Sequence, residues 1–419
     1  MTEPLKVCII SKADRGGGGA SKVAAVLAES LQSVDGVVAH HWMGAVHDGW
    51  PSYGRKLHGG ELASLGWRGA RFCSRVLGFP DFLTPEYFIH LARREFRYDL
   101  YHLHDVSATL SPLAILWLAS HYPVVWTLHD CSPFTGGCLY PLDCTRYAKG
   151  CGRCPQLAIW PQMSRVDMTR AIRQHRKRLF AQPGLYPVSP SRWLAETCIG
   201  SGVTDRSPLV IPYSVDGDLY RPHDREQLRA ILGLPADRFI LMLSSWSLHD
   251  RRKGIADVLP VLRELDSKAF LLLTGGGGTE MRDALRGFDY AATGYIRDEP
   301  LLALHYACAD AFLFPSRADN LPNAVLESMA CGTPVITYRT GGIPEMVTHG
   351  EDGWLAEPGD AQGLIAGVST MIGDIRLCRA LGQAARARAV TEFSPAAFLQ
   401  SHLRLYSALL RDGSGAQRR

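Results

Sequence analysis

The sequence predicts an α/β protein built from two doubly wound parallel-sheet domains. Three observations carry that expectation. The chain opens with an apolar strand, a glycine-rich turn and an amphipathic helix. Strand-like and helix-like segments then alternate. After residues 210–216 (VIPYSVD) the same alternation starts again. Such alternation puts helices on both faces of a parallel sheet. A chain of 419 residues is also too long for one ordinary core.

The elements follow in order. Residues 6–11 (KVCIIS) are a β-branched run, hence a buried strand. Residues 15–19 (RGGGG) make the turn, and a helix over 21–31 carries Val23, Val26 and Leu27 on one face. Further strands are expected at 37–42, 99–103, 124–129 and 185–187, with a helix over 112–120. In the second half, strands are expected at 239–244, 269–273, 290–293, 311–314 and 335–338. The first domain then covers residues 1–214, with a cysteine-bearing insert at 131–160. The second covers 215–394. A helix over 395–412 is expected to return to the first domain, and 413–419 form a loose tail.

Composition narrows the class. An apolar fraction of 46% and a charged fraction of 21% suit a soluble globular protein. The formal net charge of +4 does not demand a nucleic-acid partner. The N-terminal apolar run is too short for a signal peptide, and no stretch approaches the ~20 apolar residues of a membrane helix. The expected location is cytoplasmic, or peripheral at the inner membrane face. Eleven cysteines in that compartment read as thiols or metal ligands before disulfides.

Residues 316–337 (SRADNLPNAVLESMACGTPVIT) hold the most informative pattern. A buried strand ends, Asp319 follows, a helix begins near Asn323, and Glu327 lies about one turn inside it. A helix start presents unpaired N–H groups, here around Asn320, Leu321, Pro322 and Asn323, that suit a sugar hydroxyl or a diphosphate oxygen. Carboxylates are pure acceptors, fit for hydroxyl recognition. The competing structural reading makes Asp319 and Asn320 helix caps and Glu327 a solvated face residue.

Other candidates carry the same two readings. Gly17, Gly18 and Gly19 permit close backbone approach to a phosphate, or they pack a turn. His129 ends the strand of VWTLHD, where open α/β sheets bind ligands, or it is an ordinary buried histidine. Arg251, Arg252 and Lys253 in SLHDRRKG hold a diphosphate, or they form a solvated turn. Glu345 in GGIPEMV is a ligand or a helix-start residue.

Together these segments resemble the family 4 retaining glycosyltransferases over nearly the whole chain. The matching residues are the glycine loop, VSPSRW at 188–193, VIPYSVDGDLYRP at 210–222, Arg252-Lys253-Gly254, the two acids of 319–327, and GGIPEMV at 341–347. The resemblance implies the GT-B fold: two Rossmann-like domains with a cleft between them. It implies transfer with retention from a nucleotide-diphosphate sugar such as a UDP- or GDP-sugar, by front-face displacement without a catalytic metal. His129, Lys253 and Asp319 take the catalytic roles. Gly17, Gly18, Gly19, Arg252, Lys253, Asn320, Leu321, Pro322, Asn323 and Glu327 bind the donor. Two departures stand out: the first acid is Asp319 where the family usually has Glu, and Ser247 stands where it often has Arg.

Cys138, Cys144, Cys151 and Cys154 follow in C-x5-C-x6-C-x2-C spacing. Four thiolates in a reducing compartment suit one structural zinc; free or disulfide-paired thiols are the other reading. The insert resembles an exopolysaccharide subgroup that includes the colanic acid type. Residues 165–178 and 67–82 are rich in arginine and apolar side chains, which reads either as ordinary amphipathic packing or as contact with an anionic membrane. The expected activity is a glycosyltransferase of bacterial polysaccharide assembly, with a glycan or lipid-linked acceptor. The alternatives are a catalytically silent GT-B scaffold with structural zinc, and a nucleotide-sugar epimerase.

Overall fold

The computed structural model describes residues 3–47, 49–57, 97–107, 109–159, 162–244, 251–254, 269–275 and 285–413, with 69, 72–73, 76–79, 258–259 and 262–263. The chain divides into two compact units. One is Met1–Ile211 with Leu399–Arg419; the other is Pro212–Phe398. The sequence pattern put the division after residue 214, and helix Pro395–Gly413 carries the chain back into the first unit from Leu399 onward.

The first unit holds a seven-stranded sheet. Its strands are β1 (Leu5–Ala13), β2 (Val37–Ala45), β3 (Gly54–Lys56), β4 (Leu100–Leu103), β5 (Val124–Thr127), β6 (Leu185–Ser189) and β7 (Leu209–Val210), in the order β3-β2-β1-β4-β5-β6-β7. Every pairing is parallel; Val7 of β1, for example, stands against Ala39 of β2 and Leu100 of β4. Chain order reverses at β1/β4, the switch point of a doubly wound sheet. Val7, Cys8, Ile9 and Ile10 are fully buried, as a central parallel strand requires. Helix Gly19–Leu31 buries Val23, Ala24, Leu27, Ala28 and Leu31, one stripe at helical spacing.

The second unit holds a six-stranded parallel sheet of β8 (Phe239–Ser244), β9 (Ala269–Thr274), β10 (Tyr290–Ala292), β11 (Ala311–Phe314), β12 (Val335–Tyr338) and β13 (Gly353–Ala356), in the order β10-β9-β8-β11-β12-β13. Its switch point is β8/β11. Leu241, Leu313, Ile336, Leu364 and Val368 share its core. Both units are thus Rossmann-like, as the sequence predicts. Strands β3, β7 and β13 were not anticipated, because two are very short and the third begins on glycine.

Helix starts follow cap chemistry. Ser111 and Ser191 accept from Ala114 and Leu194 amides in the first unit. Asp224, Asp298, Asp360 and Asp374 do the same in the second. Gly18 and Pro322, which precede helices Gly19–Leu31 and Asn323–Ala330, supply no side-chain acceptor. Those two helices follow the glycine turn and the acidic stretch.

Candidate functional site

In the second unit, three loops at the carboxyl ends of the strands knit together. The Arg252 carbonyl accepts from the Arg317 amide at 2.6 Å and from the Ser316 hydroxyl at 3.2 Å. The Thr340 hydroxyl donates to the Arg317 carbonyl at 2.9 Å. Gly341 has φ +58, and a Cβ there would lie 1.7 Å from the Asp319 carbonyl oxygen. Only glycine lets GGIPE approach the acidic loop this closely.

Lys253 and Asp319 meet across this junction. The ammonium lies 2.9 Å from Asp319 Oδ2 and 5.3 Å from the centre of the Phe314 ring. Asp319 Oδ1 accepts from the Asn320 amide at 3.0 Å. The expected phosphate cation and the expected sugar-binding carboxylate therefore form an ion pair. Asn320 and Leu321 are buried and Asn323 is half-buried at the start of helix Asn323–Ala330. Glu327 is buried, 7% exposed, which removes the solvated-face reading. It is hydrogen-bonded to the Tyr306 hydroxyl, and burial followed by the Glu327 charge pushes the Tyr306 phenol well up. Tyr306 and Tyr220, whose phenol burial and then Glu327 also push up, were missed from sequence. Arg252 is half-buried. The expectation for Ser247 and for the Arg251 side chain lies outside the described residues, and Glu345 ends the short turn Ile343–Glu345, its carbonyl accepting from Arg388 at 3.0 Å.

In the first unit, His129 follows β5. Its Nε2 lies 3.1 Å from His104 Nδ1. Burial lowers the His129 pKa to about 4, against an opposing pull from Asp105. His104 was not singled out from sequence, though it lies just past the end of β4, two residues on from His102, so the strand's alternation carried one step further puts both on one face. In the glycine turn, a Cβ on Gly17 would lie 2.3 Å from the Ala13 Cβ and 2.9 Å from Ser21 Oγ, so Gly17 serves packing. Gly18 has φ +101 with nothing within 4 Å of a built Cβ, so its glycine answers to backbone conformation. Gly19 begins the helix.

The cysteine insert is folded on itself. The Cys154 amide donates to Asp167 at 2.7 Å, and Gln156 donates to the Tyr140 and Pro141 carbonyls at 3.0 Å each. Among the described residues, the non-glycine positions with positive φ are Leu142, Cys151, Arg153 and Met163, all in or beside this insert. Burial, above all, pushes the Cys138 thiol up to about 12, and the other three thiols push the same way. The Gly136 and Gln156 amides donate to the sulfurs of Cys151 and Cys154. Yet no group of three or more His, Cys, Asp or Glu among the described residues is arranged to hold a metal ion. Zinc on Cys138, Cys144, Cys151 and Cys154 would therefore have to draw the four sulfurs together as it binds.

The basic helix forms over Thr169–Phe180. Arg173 donates to the carbonyls of Tyr147 and Ser201, and the Arg176 guanidinium lies 5.6 Å from the Trp126 ring centre. Two of its cations thus serve packing, while Arg170, Lys177 and Arg178 are exposed. Most of residues 67–82 lies outside the described residues. Among the described residues no helix is long and apolar enough to cross a membrane.

Two doubly wound parallel sheets, one in each unit, are the fold of GT-B proteins. Residues 238–374, which lie within the second unit, match the family model of glycosyl transferases group 1. The chain is 28% identical over 207 residues to N-acetyl-alpha-D-glucosaminyl L-malate synthase of Bacillus anthracis, covering 47% of this chain and 53% of that one. It is 34% identical over 163 residues to D-inositol 3-phosphate glycosyltransferase 1 of Catenulispora acidiphila, covering 35% and 38%. The chain thus spans about half the length, or less, of these curated relatives. In fold it is similar to a sucrose-phosphate synthase of Thermosynechococcus elongatus, with TM-score 0.72, 21% identity and coverage of 97% and 100%. It is also similar to HepE of Anabaena in complex with UDP-glucose, with TM-score 0.69, 18% identity and coverage of 96% and 100%.

Proposed function

We propose that this protein is a retaining glycosyltransferase that moves a sugar from a nucleotide-diphosphate sugar to a hydroxyl of a glycan or lipid-linked acceptor in bacterial polysaccharide assembly. The observation that carries the reading is the Lys253–Asp319 pair beside the start of helix Asn323–Ala330, with Glu327 buried one turn inside. A donor diphosphate would draw Lys253 from Asp319, freeing the carboxylate to accept from sugar hydroxyls. The helix N-terminus favours the developing negative charge of the leaving group. Glu327, oriented by Tyr306, accepts from ribose hydroxyls. The leaving diphosphate oxygen helps take the acceptor proton, so no protein base and no metal is assigned. Nucleotide-sugar complexes of a protein with the same fold support the donor class.

A thermal-shift screen of the full chain against UDP-, GDP- and ADP-sugars tests this, because a ligand of the native state raises its stability. One nucleotide sugar should raise the melting temperature and be slowly hydrolysed without acceptor, releasing the sugar with its anomeric configuration kept. No shift and no hydrolysis would mean a silent scaffold; a changed sugar without release would mean an epimerase. Undiminished hydrolysis in EDTA checks metal independence. A structural zinc on Cys138, Cys144, Cys151 and Cys154 belongs to the proposal as a stiffener of the insert, with no reaction step routed through it. Metal analysis should find zinc near one per chain; metal-free protein with four titrating thiols would refute it. Exposed Arg170, Lys177 and Arg178 suit an anionic lipid surface, which sedimentation with anionic vesicles tests.

A further inference from the structure

We propose that Phe314 is a positioning residue for Lys253, whose ring keeps the ammonium in place when a diphosphate draws Lys253 away from Asp319. The inference rests on the donor-site reading given above and lies wholly within the second unit. A lysine side chain is long and gives up much rotamer freedom when it is held in one place. Two contacts hold this one. Its Nζ lies 2.9 Å from Asp319 Oδ2 and 5.3 Å from the centre of the Phe314 ring. The Lys253 side chain is 31% exposed and that of Asp319 16%, so the pair is open to an anion from solvent. The two contacts respond differently to that anion. A phosphate oxygen competes with the carboxylate for the same N–H donors. The ring face attracts the charge as a whole, through its quadrupole, and does not fill the acceptor position that a phosphate oxygen takes. One contact is exchanged and the other persists.

The ring can do this because it is itself held. Phe314 and Phe312 are both buried and stand two apart on β11, so they share one face of the sheet. Their rings lie 5.8 Å apart at 34°. Phe312 in turn meets Tyr306 of helix Glu299–Cys308 edge to face, at 5.3 Å and 88°. Tyr306 is buried, its carbonyl accepts from Thr333 Oγ1 at 2.7 Å, and its hydroxyl is bonded to Glu327. Backbone pairing fixes the strand from both sides: Phe312 stands against Val335 of β12 and Met242 of β8, and Phe314 against Thr337 of β12. Close packing of such rings leaves each few alternative rotamers. The run Phe314–Phe312–Tyr306 thus joins the cation expected at the diphosphate to the carboxylate expected at the ribose, through packed side chains alone. A leucine at 314 would fill much of the space and offer the ammonium no ring face.

NMR of the full chain, labelled at lysine, reads the contact without any ligand. The Lys253 ε-methylene protons should lie upfield, shifted by the ring current of Phe314, and should return to their ordinary position in Phe314→Leu. In Asp319→Asn, which removes the carboxylate charge, the upfield shift should remain; its loss there would show that the ring does not hold Lys253 by itself and would overturn the proposal. Calorimetry with UDP, GDP and ADP then reads the consequence. For the nucleoside diphosphate that the unaltered chain binds, Phe314→Leu should lower affinity about 3–20-fold, with little change for the matching monophosphate, and Phe314→Tyr should recover most of it. In a Lys253→Ala background the leucine should cost nothing further, because no ammonium is left to position. Equal losses in the two backgrounds would make Phe314 a packing residue and overturn the proposal. Binding of none of the three diphosphates would instead overturn the donor-site reading, and the ligand-free spectrum keeps these two failures apart.

Discussion

The two units share one wiring and hold opposite chemistry. The first gathers imidazoles: His102 on β4, His104 and His129 just after β4 and β5, His402 from the last helix, and His41 on β2 bonded to Ser11 at 2.7 Å. The second gathers ion pairs: Lys253–Asp319 at 2.9 Å, Arg229–Asp310 at 2.6 Å and Arg388–Asp352 at 3.0 Å. The difference shows two ways of fixing a polar side chain in a doubly wound frame. Burial keeps an imidazole uncharged, so hydrogen bonds and stacking suffice to orient it. A carboxylate stays charged and needs a cation beside it. Each solution has its own weakness.

The largest expected effect breaks an ion pair of the second unit. Asp310 and Arg229 are both 8% exposed, and Asp310 also accepts from the Ile240 amide at 2.8 Å. Asp310→Ala leaves a buried guanidinium without its counter-charge and should cost about 3–5 kcal/mol. Hydrogen exchange should show lost protection in β8 and β11 and little change in β1 and β4. A loss under about 1 kcal/mol, the size of an exposed pair, would remove the contrast between the units.

The next effect tests the donor site. Glu327→Ala should weaken nucleotide-sugar binding by about 1.5–3 kcal/mol, the worth of hydrogen bonds to a charged group. It also strips Tyr306 of its partner, so some stability is lost with it. Calorimetry on a variant shown to be folded separates the two. Unchanged donor affinity would reduce Glu327 to a structural partner of Tyr306.

The last effect is acid sensitivity of the first unit. Burial lowers the pKa of His41 and of His129 to about 4, and that of His102 and His104 well below the ordinary value. The folded state then binds fewer protons than the unfolded chain below about pH 6.5, so stability is present above that pH and is lost as pH falls toward 4. His41 alone, 1% exposed, implies a loss of about 2 kcal/mol by pH 5. Exchange at pH 7 and pH 5 should show the drop in β1, β2 and β4. Uniform loss across both sheets would show that the histidines do not distinguish the units.

Much of the fold was legible because it is local. β1, the glycine turn and helix Gly19–Leu31 follow from apolar period and glycine content within one short segment, and the acidic stretch declares its own helix start. The short strands β3 and β7 carry too few residues to show a period. His104 is a partial exception: the alternation in YHLHD could have flagged it beside His102, but nothing in that segment names His129 as its partner.

By itself the sequence determined the doubly wound class, the restart after residue 210, and the acids and cation of the second unit, because periodicity and motif spacing act over a few residues. Only the tertiary structure decided which side chains meet. Lys253 finds Asp319, Tyr306 finds Glu327, and Tyr406 of the last helix finds His102 across most of the chain. It also left the four cysteines short of a metal-ready cluster. The physical reason is that burial and hydrogen-bond pairing depend on distances the folded backbone sets, and these charges and imidazoles owe their state to neighbours far away in sequence.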